Sequence, residues 1–204
     1  KYGVYAFPKH FAGNDQETNR CAFLMTYMTE QTFRENVLKP FETAVKGFDF
    51  NNYVMGMMTS YNWLGTVPAI SDANLLKTVL REEWGFVGTV ISDYNGSYGY
   101  QISDAAVRAG NDLMLGYGMA ESNQFTDTDA ATCVLAMRQA CKNILYTVGN
   151  SGYYEGEGGG DAGGMNKMTQ MFVTVDVIVA GLAVAIEAVV ILRWMKKRRG
   201  PKEA

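Results

Sequence analysis

Polar side chains stand directly after short apolar runs at four points in the first 115 residues. They are Lys9–His10, Thr59–Asn62, Ser92–Tyr94 and Asn111–Asp112. Asp93 is the strongest candidate for chemistry, because the apolar run 87–91 delivers its carboxylate into a loop rich in Gly, Asn and Tyr. A carboxylate in such a place can act as a nucleophile or a base. The alternative is an Asp that only caps the next turn.

Lys9 and His10 are two adjacent polar donors at the end of the first apolar run. His10 is the single histidine of the chain, which excludes a site built on a histidine cluster. The three cysteines show no C-x-x-C spacing. We therefore expect no metal site and no cofactor. On residue type alone, a structural role for the lone histidine stays open.

The elements that must position these residues alternate between short apolar runs and longer periodic runs. Strands are predicted at 3–7, 53–59, 86–92 and 112–115, and helices at 30–46, 72–84, 102–109 and 128–148. This βαβαβαβα order predicts an α/β fold with parallel strands joined by crossover helices. Four such units make the half of a (β/α)8 (TIM) barrel. The alternative is an open, four-stranded doubly wound domain.

The C-terminal part of the chain has a different composition from the first 148 residues. We expect a barrel domain at 1–148, a Gly-rich linker at 149–170, a transmembrane α-helix at 171–192 and a basic tail at 193–204. Of the 22 residues in 171–192, 18 are apolar, and as a helix they would be about 33 Å long, enough to span a bilayer. The six Lys and Arg residues of the tail predict a cytoplasmic C-terminus and an extracytoplasmic barrel. Because Asp176 and Glu187 interrupt the span, a buried or interfacial amphipathic helix is the alternative.

The overall composition excludes two classes of protein. Hydrophobic residues make up 48% and charged residues 19% of the chain, which excludes a disordered protein. The net charge of −3 excludes a generally basic protein that coats nucleic acid. The first residue is Lys1, and strand-like residues follow almost at once, so we expect a piece of a longer protein.

Five spaced motifs together resemble one enzyme family. They are KHFAGNDQETNR at 9–20, LKPFETAVK at 38–46, VMGMMTSYN at 54–62, LLKTVLREEWGFVGTVISDY at 75–94 and AVRAGNDLML at 106–115. Over residues 3–148 they resemble the (β/α)8 domain of glycoside hydrolase family 3, the β-glucosidase-like enzymes. The resemblance implies that the four strands are the second half of the barrel. It also implies that the first half, and an α/β sandwich domain carrying the general acid/base Glu, lie upstream.

The resemblance implies a retaining mechanism with Asp93 as the catalytic nucleophile, which attacks the anomeric carbon and forms a covalent glycosyl-enzyme. It assigns hydroxyl binding to Lys9 and His10, places Met58 and Tyr61 beside the sugar, and sets Tyr94 where the family often has Trp. The loop after His10 has no second histidine, which disfavours the N-acetylglucosaminidase branch. Asp15, Glu17 and Asp104 are carboxylates near the predicted site, and none of them is assigned as the acid/base.

These observations predict a membrane-anchored, exo-acting β-glycosidase, a β-glucosidase in the first place, with a β-linked glycoside as substrate and the lipid bilayer as the partner of 171–192. The 204-residue chain alone is expected to be inactive, because half the barrel and the acid/base are missing from it. The alternatives are a β-xylosidase of the same family and a non-catalytic carbohydrate-binding membrane protein.

Overall fold

The computed structural model describes residues 5–47, 54–94, 99–116 and 124–152, together with eleven single positions between 174 and 191. The chain divides into two units, Lys1–Gly152 and Tyr153–Ala204. The described strands are β1 (Met25–Thr26), β2 (Gly56–Met58), β3 (Trp63–Leu64), β4 (Val67–Pro68) and β5 (Thr89–Ile91). The described helices are α1 (Glu30–Thr32), α2 (Lys39–Lys46), α3 (Ser103–Ala109) and α4 (Ala131–Gly149), with π-helices at Phe33–Val37 and Asn74–Glu83 and a 3-10 turn at Ala69–Ser71.

The centre of the first unit is a set of parallel strand segments that are neighbours in chain order. β2 pairs with β5 in parallel, with Gly56 opposite Thr89. Parallel bridges continue the pairing on both sides, and they join Ala6 to Val54, Phe11 to Thr59 and Ile91 to Leu113. Helices connect these segments, so the predicted parallel α/β arrangement is confirmed.

Among the described residues, the outer two of the four predicted strands pair through single bridges. In the described residues, the strands expected at 3–7 and 112–115 are reduced to single bridges at Ala6 and Leu113. Near Leu113 the reason is a side chain. The carboxylate of Asp112 accepts the amide proton of Val90 at 2.8 Å, which takes the place of a backbone carbonyl in the ladder.

A second, small sheet was not predicted. β1 pairs with β3 in parallel, and β3 pairs with β4 in the antiparallel direction. The two-residue strands β3 and β4 lie inside the predicted loop 61–70. They form a tight hairpin in which Gly65 adopts a φ of 58°, a conformation that glycine takes without strain.

The predicted helices are present, with changes at their ends. The helix expected at 30–46 is broken at Leu38, and Pro40 stands in the first turn of α2, where its missing N–H costs no hydrogen bond. The helix expected at 72–84 is a π-helix, and Asp72 caps it in place of Ser71, accepting the amide of Asn74 at 2.9 Å.

The main core lies between the parallel strands and these helices. Its largest fully buried side chains come from the strand segments and from the Asn74–Glu83 helix. They are Phe11, Met57, Leu76, Leu80 and Val90, joined by Leu38 from the junction before α2. A smaller cluster of Val107, Cys133 and Ala140 joins α3 to α4. The main core therefore holds β2 and β5, which precede Thr59–Asn62 and Asp93, against the helices.

The predicted transmembrane helix at 171–192 and the tail at 193–204 fall largely outside the described residues. The eleven positions described between 174 and 191 are helical and exposed. Over the part of the chain that the structure describes, no helix is both long enough and apolar enough to cross a bilayer. The structure therefore gives no support to the transmembrane part of the predicted fold.

Candidate active site

The candidate site lies where three parallel segments end side by side. The amide of Phe11 donates to the carbonyl of Met58 at 2.7 Å, and the amide of Met58 donates to Pro8 at 3.1 Å. On the other side, the amide of Thr59 donates to the carbonyl of Ile91 at 2.9 Å. These bonds bring the residues that follow each segment to one edge.

His10 and Asp93 meet at that edge. His10 Nε2 lies 3.1 Å from Asp93 Oδ2, and the two side chains are 19% and 14% exposed. The second oxygen, Asp93 Oδ1, accepts the amide proton of Tyr94 at 2.7 Å. The carboxylate is thus held by one donor on each oxygen, close to the surface but largely shielded from water.

The loop after His10 supplies three polar side chains that the sequence reasoning did not assign. Asn14 Nδ2 lies 3.3 Å from His10 Nδ1 and donates to Glu17 Oε1 at 2.9 Å. Arg20 donates to Asn14 Oδ1 and forms an ion pair with Glu17 at 2.9 Å. The available signal was the density of charged and amide residues in 14–20, but residue types alone do not show which of them turns back toward His10.

Three tyrosines connect the ends of the second and third segments. Tyr61 is buried, and its hydroxyl donates to the carbonyl of Tyr94. The hydroxyl of Tyr100 donates to the carbonyl of Tyr61 at 2.8 Å. The guanidinium of Arg20 stands over the Tyr61 ring, 4.9 Å from its centre, within the range of a cation–π contact.

The predicted site residues therefore gather at one edge, although they differ in burial. His10 and Asp93 are in contact, and Tyr61 is hydrogen-bonded to the residue after Asp93. Lys9 and Tyr94 are exposed. Met58 is half-buried at the end of β2, opposite Ile91. Their roles toward a sugar stay predictions.

The other carboxylates near these segments have different surroundings. Glu17 is paired with Arg20, and Asp15 is exposed. One oxygen of Asp104, Oδ2, accepts hydrogen bonds from the amide and the hydroxyl of Thr126, at 2.9 and 3.1 Å. These bonds fix the start of the segment that leads to α4. The backbone hydrogen bond from Thr126 is the main reason why the pKa of Asp104 lies below its usual value. Asp104 is therefore a structural residue.

Burial lowers the pKa of His10 below its usual value of 6.5, and the positive charges of Lys9 and Arg20 act in the same direction. Asp93 and Glu17 oppose this shift. The contact with His10 Nε2 and the amide of Tyr94 orient the Asp93 carboxylate at this edge. Such a group is suited to nucleophilic attack. Among the described residues, no group of three or more His, Cys, Asp or Glu side chains is placed to hold a metal ion.

Comparison with known sequences gives one family. The profile of the family described as "Glycosyl hydrolase family 3 N terminal domain" matches residues 1–121. Beta-glucosidase B of Emericella nidulans is 42% identical over 112 residues, which are 54% of this chain and 12% of that protein. A putative beta-glucosidase of Schizosaccharomyces pombe is 36% identical over 142 residues, which are 70% of this chain and 16% of that protein.

Comparison with solved structures also finds beta-glucosidases. Beta-glucosidase 3B from Thermotoga neapolitana, in complex with glucose, superposes with a TM-score of 0.60 and 30% identity, covering 76% of this chain and 22% of that one. The GH3 beta-glucosidase of Bifidobacterium adolescentis gives a TM-score of 0.61 and 26% identity, covering 72% of this chain and 21% of that one. The chain thus spans roughly a fifth or less of the length of these relatives.

Proposed function

The chain belongs to glycosyl hydrolase family 3, and from this membership we propose that the protein carrying it is a retaining β-glucosidase with Asp93 as its nucleophile. The observation that carries the proposal is the contact between Asp93 and His10 at the end of the parallel strands. An oxocarbenium-like transition state requires a carboxylate on one face of the sugar and donors for its hydroxyl groups. The names of the relatives favour a β-glucoside over a β-xyloside as substrate.

In the proposed reaction, Asp93 attacks the anomeric carbon and the aglycone leaves with a proton from a general acid. The glycosyl-enzyme ester then reacts with water, which regenerates the carboxylate and releases glucose with retained configuration. Lys9 binds sugar hydroxyls, His10 holds the Asp93 carboxylate through their 3.1 Å contact, and Met58, Tyr61 and Tyr94 shape the space around the ring. As the family resemblance implies, the general acid/base is a Glu of an α/β sandwich domain outside this chain; within it, Glu17 is paired with Arg20 and Asp104 is bonded to Thr126.

Labelling of the nucleophile tests this assignment. A 2-deoxy-2-fluoro-β-glucoside with an activated leaving group forms its glycosyl-enzyme quickly and hydrolyses slowly. After proteolysis, we expect the label on Asp93. A label on Asp15, Asp104 or Asp112 would contradict the assignment, and the matching xyloside measures whether the β-xylosidase alternative is the better description.

Replacement of the nucleophile provides the second test. In the full-length protein, Asp93→Ala should lower turnover of an aryl β-glucoside by several orders of magnitude, since the covalent route is lost. Azide should restore part of the activity on a substrate with a good leaving group, and the product should be the α-glucosyl azide because one displacement replaces two. Glu82→Ala removes an exposed carboxylate elsewhere and should leave turnover unchanged. Near-normal activity of Asp93→Ala would end the proposal.

We also propose that residues 171–192 anchor the protein in a cell membrane, with the C-terminus in the cytoplasm and the family 3 domain on the outer side. The proposal rests on the apolar composition of 171–192 and on the basic residues that follow it. Extraction of membranes with alkaline carbonate should leave the protein in the pellet. Release into the supernatant, together with activity on the cytoplasmic side, would contradict it.

A further inference from the structure

Only one orientation of the Asn14 side-chain amide matches the hydrogen-bonding groups of its neighbours. Its Oδ1 accepts a hydrogen bond from Arg20, and its Nδ2 donates to Glu17 Oε1 at 2.9 Å. Rotating the amide by 180° would place an NH2 group against a guanidinium and an oxygen against a carboxylate. Since Arg20 and Glu17 are also paired with each other at 2.9 Å, neither can move aside without losing that contact. The hydrogen-bond partners therefore determine which end atom of the amide is Oδ1 and which is Nδ2.

This orientation determines which nitrogen of His10 carries the proton. Asn14 Nδ2 is a donor and lies 3.3 Å from His10 Nδ1, so Nδ1 must be an acceptor. The proton of a neutral ring is then on Nε2, which lies 3.1 Å from Asp93 Oδ2. We propose that Asn14, held by Arg20 and Glu17, is a positioning residue that keeps His10 in the neutral Nε2–H tautomer and, through it, orients Asp93. The inference rests on the proposed function of Asp93.

The other tautomer and the charged ring are both disfavoured by the same contacts. With the proton on Nδ1, a donor would face the NH2 group of Asn14, and the lone pair of Nε2 would face the carboxylate of Asp93. A doubly protonated ring would keep the contact with Asp93 but still place Nδ1–H against Asn14. Burial lowers the pKa of His10, the charges of Lys9 and Arg20 act in the same direction, and the charges of Asp93 and Glu17 only partly oppose the shift.

The consequence for the nucleophile is geometric. Asp93 Oδ1 is held by the amide of Tyr94, which belongs to the backbone. Oδ2 depends on a side chain whose donor is present only in the correct tautomer. Loss of that donor leaves the carboxylate free to rotate away from the direction of attack, which affects the chemical step more than substrate affinity.

Substitution of Asn14 separates this role from general structural support. Asn14→Asp places a carboxylate oxygen against Nδ1 and should draw a second proton onto His10, since a nearby opposite charge raises a histidine pKa by about one to three units. The pH at which His10 gains its second proton, followed by its imidazole NMR signals, should move up by about one unit or more. Asn14→Leu provides neither a donor nor an acceptor, and kcat should fall about tenfold with little change in KM, as expected for one lost hydrogen bond. Asn74→Asp, at an exposed helix position, adds the same charge and should leave both quantities unchanged.

A direct readout does not depend on turnover. The protein expressed from its natural gene is labelled with 15N-histidine, and the imidazole signals that disappear in His10→Gln are assigned to His10. At neutral pH, the wild type should show protonated Nε2 and unprotonated Nδ1, whereas Asn14→Asp should show both nitrogens protonated.

The outcomes distinguish the two proposals. A wild-type ring with its proton on Nδ1, or charged at neutral pH, overturns the inference even if the 2-fluoro label is found on Asp93. An unchanged pH for the second protonation of His10 in Asn14→Asp overturns it as well. If the label lies elsewhere but His10 shows the Nε2–H tautomer, the proposed function fails while the assignment of the tautomer stands.

Discussion

Arg81→Met should destabilise the strand that carries Asp93. Arg81 Nη2 lies 2.7 Å from Asp112 Oδ2, and the two side chains are 15% and 2% exposed. The same Oδ2 accepts the amide of Val90 at 2.8 Å, and Val90 is three residues before Asp93 in the chain. The pair therefore fixes the end of β5 from behind the candidate site.

The loss of unfolding free energy in Arg81→Met follows from the buried Asp112 carboxylate that remains without its counter-charge. Without Arg81, the carboxylate of Asp112 keeps the Val90 amide and the Asn143 side chain, which donates at 2.8 Å, but it has lost its cation. Leaving one partner of a buried ion pair without its counter-charge costs about 3–5 kcal/mol of unfolding free energy. We expect a loss in this range near neutral pH.

The pH dependence has a definite sign. Burial raises the pKa of Asp112, and the charge of Arg81 is the main influence that opposes the rise. Removing Arg81 therefore raises this pKa further. A carboxyl group whose pKa is higher in the folded state binds its proton more tightly there, so it favours folding at acid pH and loses that contribution as the pH rises through the folded-state pKa. The cost of Arg81→Met should consequently shrink as the pH is lowered from neutral.

Urea unfolding of the wild type and the variant, monitored by tryptophan fluorescence at several pH values, measures this difference. Arg34→Met is the matched control, because Arg34 donates twice to Glu83, at 2.7 and 3.1 Å, in an exposed pair. Solvent screens that pair, so its loss should cost at most about 1 kcal/mol. The reasoning is refuted if both variants cost the same, or if the cost of Arg81→Met grows on acidification.

Three further predictions concern the strand packing, the tyrosine contacts and the C-terminal tail. Gly88→Ala should cost about 3 kcal/mol or more of unfolding free energy, because a Cβ would stand 2.3 Å from the carbonyl oxygen of Met55; a loss below 1 kcal/mol in urea unfolding would contradict this. Tyr61→Phe removes the hydroxyl that donates to Tyr94 and should lower kcat/KM about fivefold to tenfold, with little change in the urea midpoint; unchanged kinetics would show that the contact is dispensable. Replacing the Lys and Arg residues of 193–199 with Ser should weaken the orientation of a C-terminal reporter, and an unaltered orientation would refute the role of these charges.

Periodicity predicted the helices and the parallel arrangement because both depend on long stretches of chain. Leu75, Leu76, Val79 and Leu80 are buried in one helix, as their spacing indicates. The small sheet was missed because two-residue strands such as Trp63–Leu64 are too short to show alternation. Its signal was Gly65 between two apolar pairs, which is typical of a tight hairpin.

Only part of the candidate site could be predicted from the sequence. Asp93 closely follows the largely buried β5, and His10 closely follows the first apolar run, so their common edge could be predicted from the parallel order. Asn14 and Arg20 belong to a polar loop, where no period relates sequence distance to direction. The contact of Asn14 with His10, and that of Arg20 with Asn14, depend on how the chain turns back after Phe11, and only the folded loop shows them.

Hydrogen bonds of two serine hydroxyls join neighbouring parallel segments just before the candidate residues. The buried hydroxyl of Ser60 donates to the carbonyl of Ala12 at 2.7 Å, and the buried hydroxyl of Ser92 accepts the amide of Leu115 at 2.7 Å. Backbone pairing ends there, so these groups satisfy polar atoms that a buried strand end would otherwise leave without partners. Because Ser92 immediately precedes Asp93, the direction in which the carboxylate leaves the sheet is set by buried contacts rather than by the exposed loop.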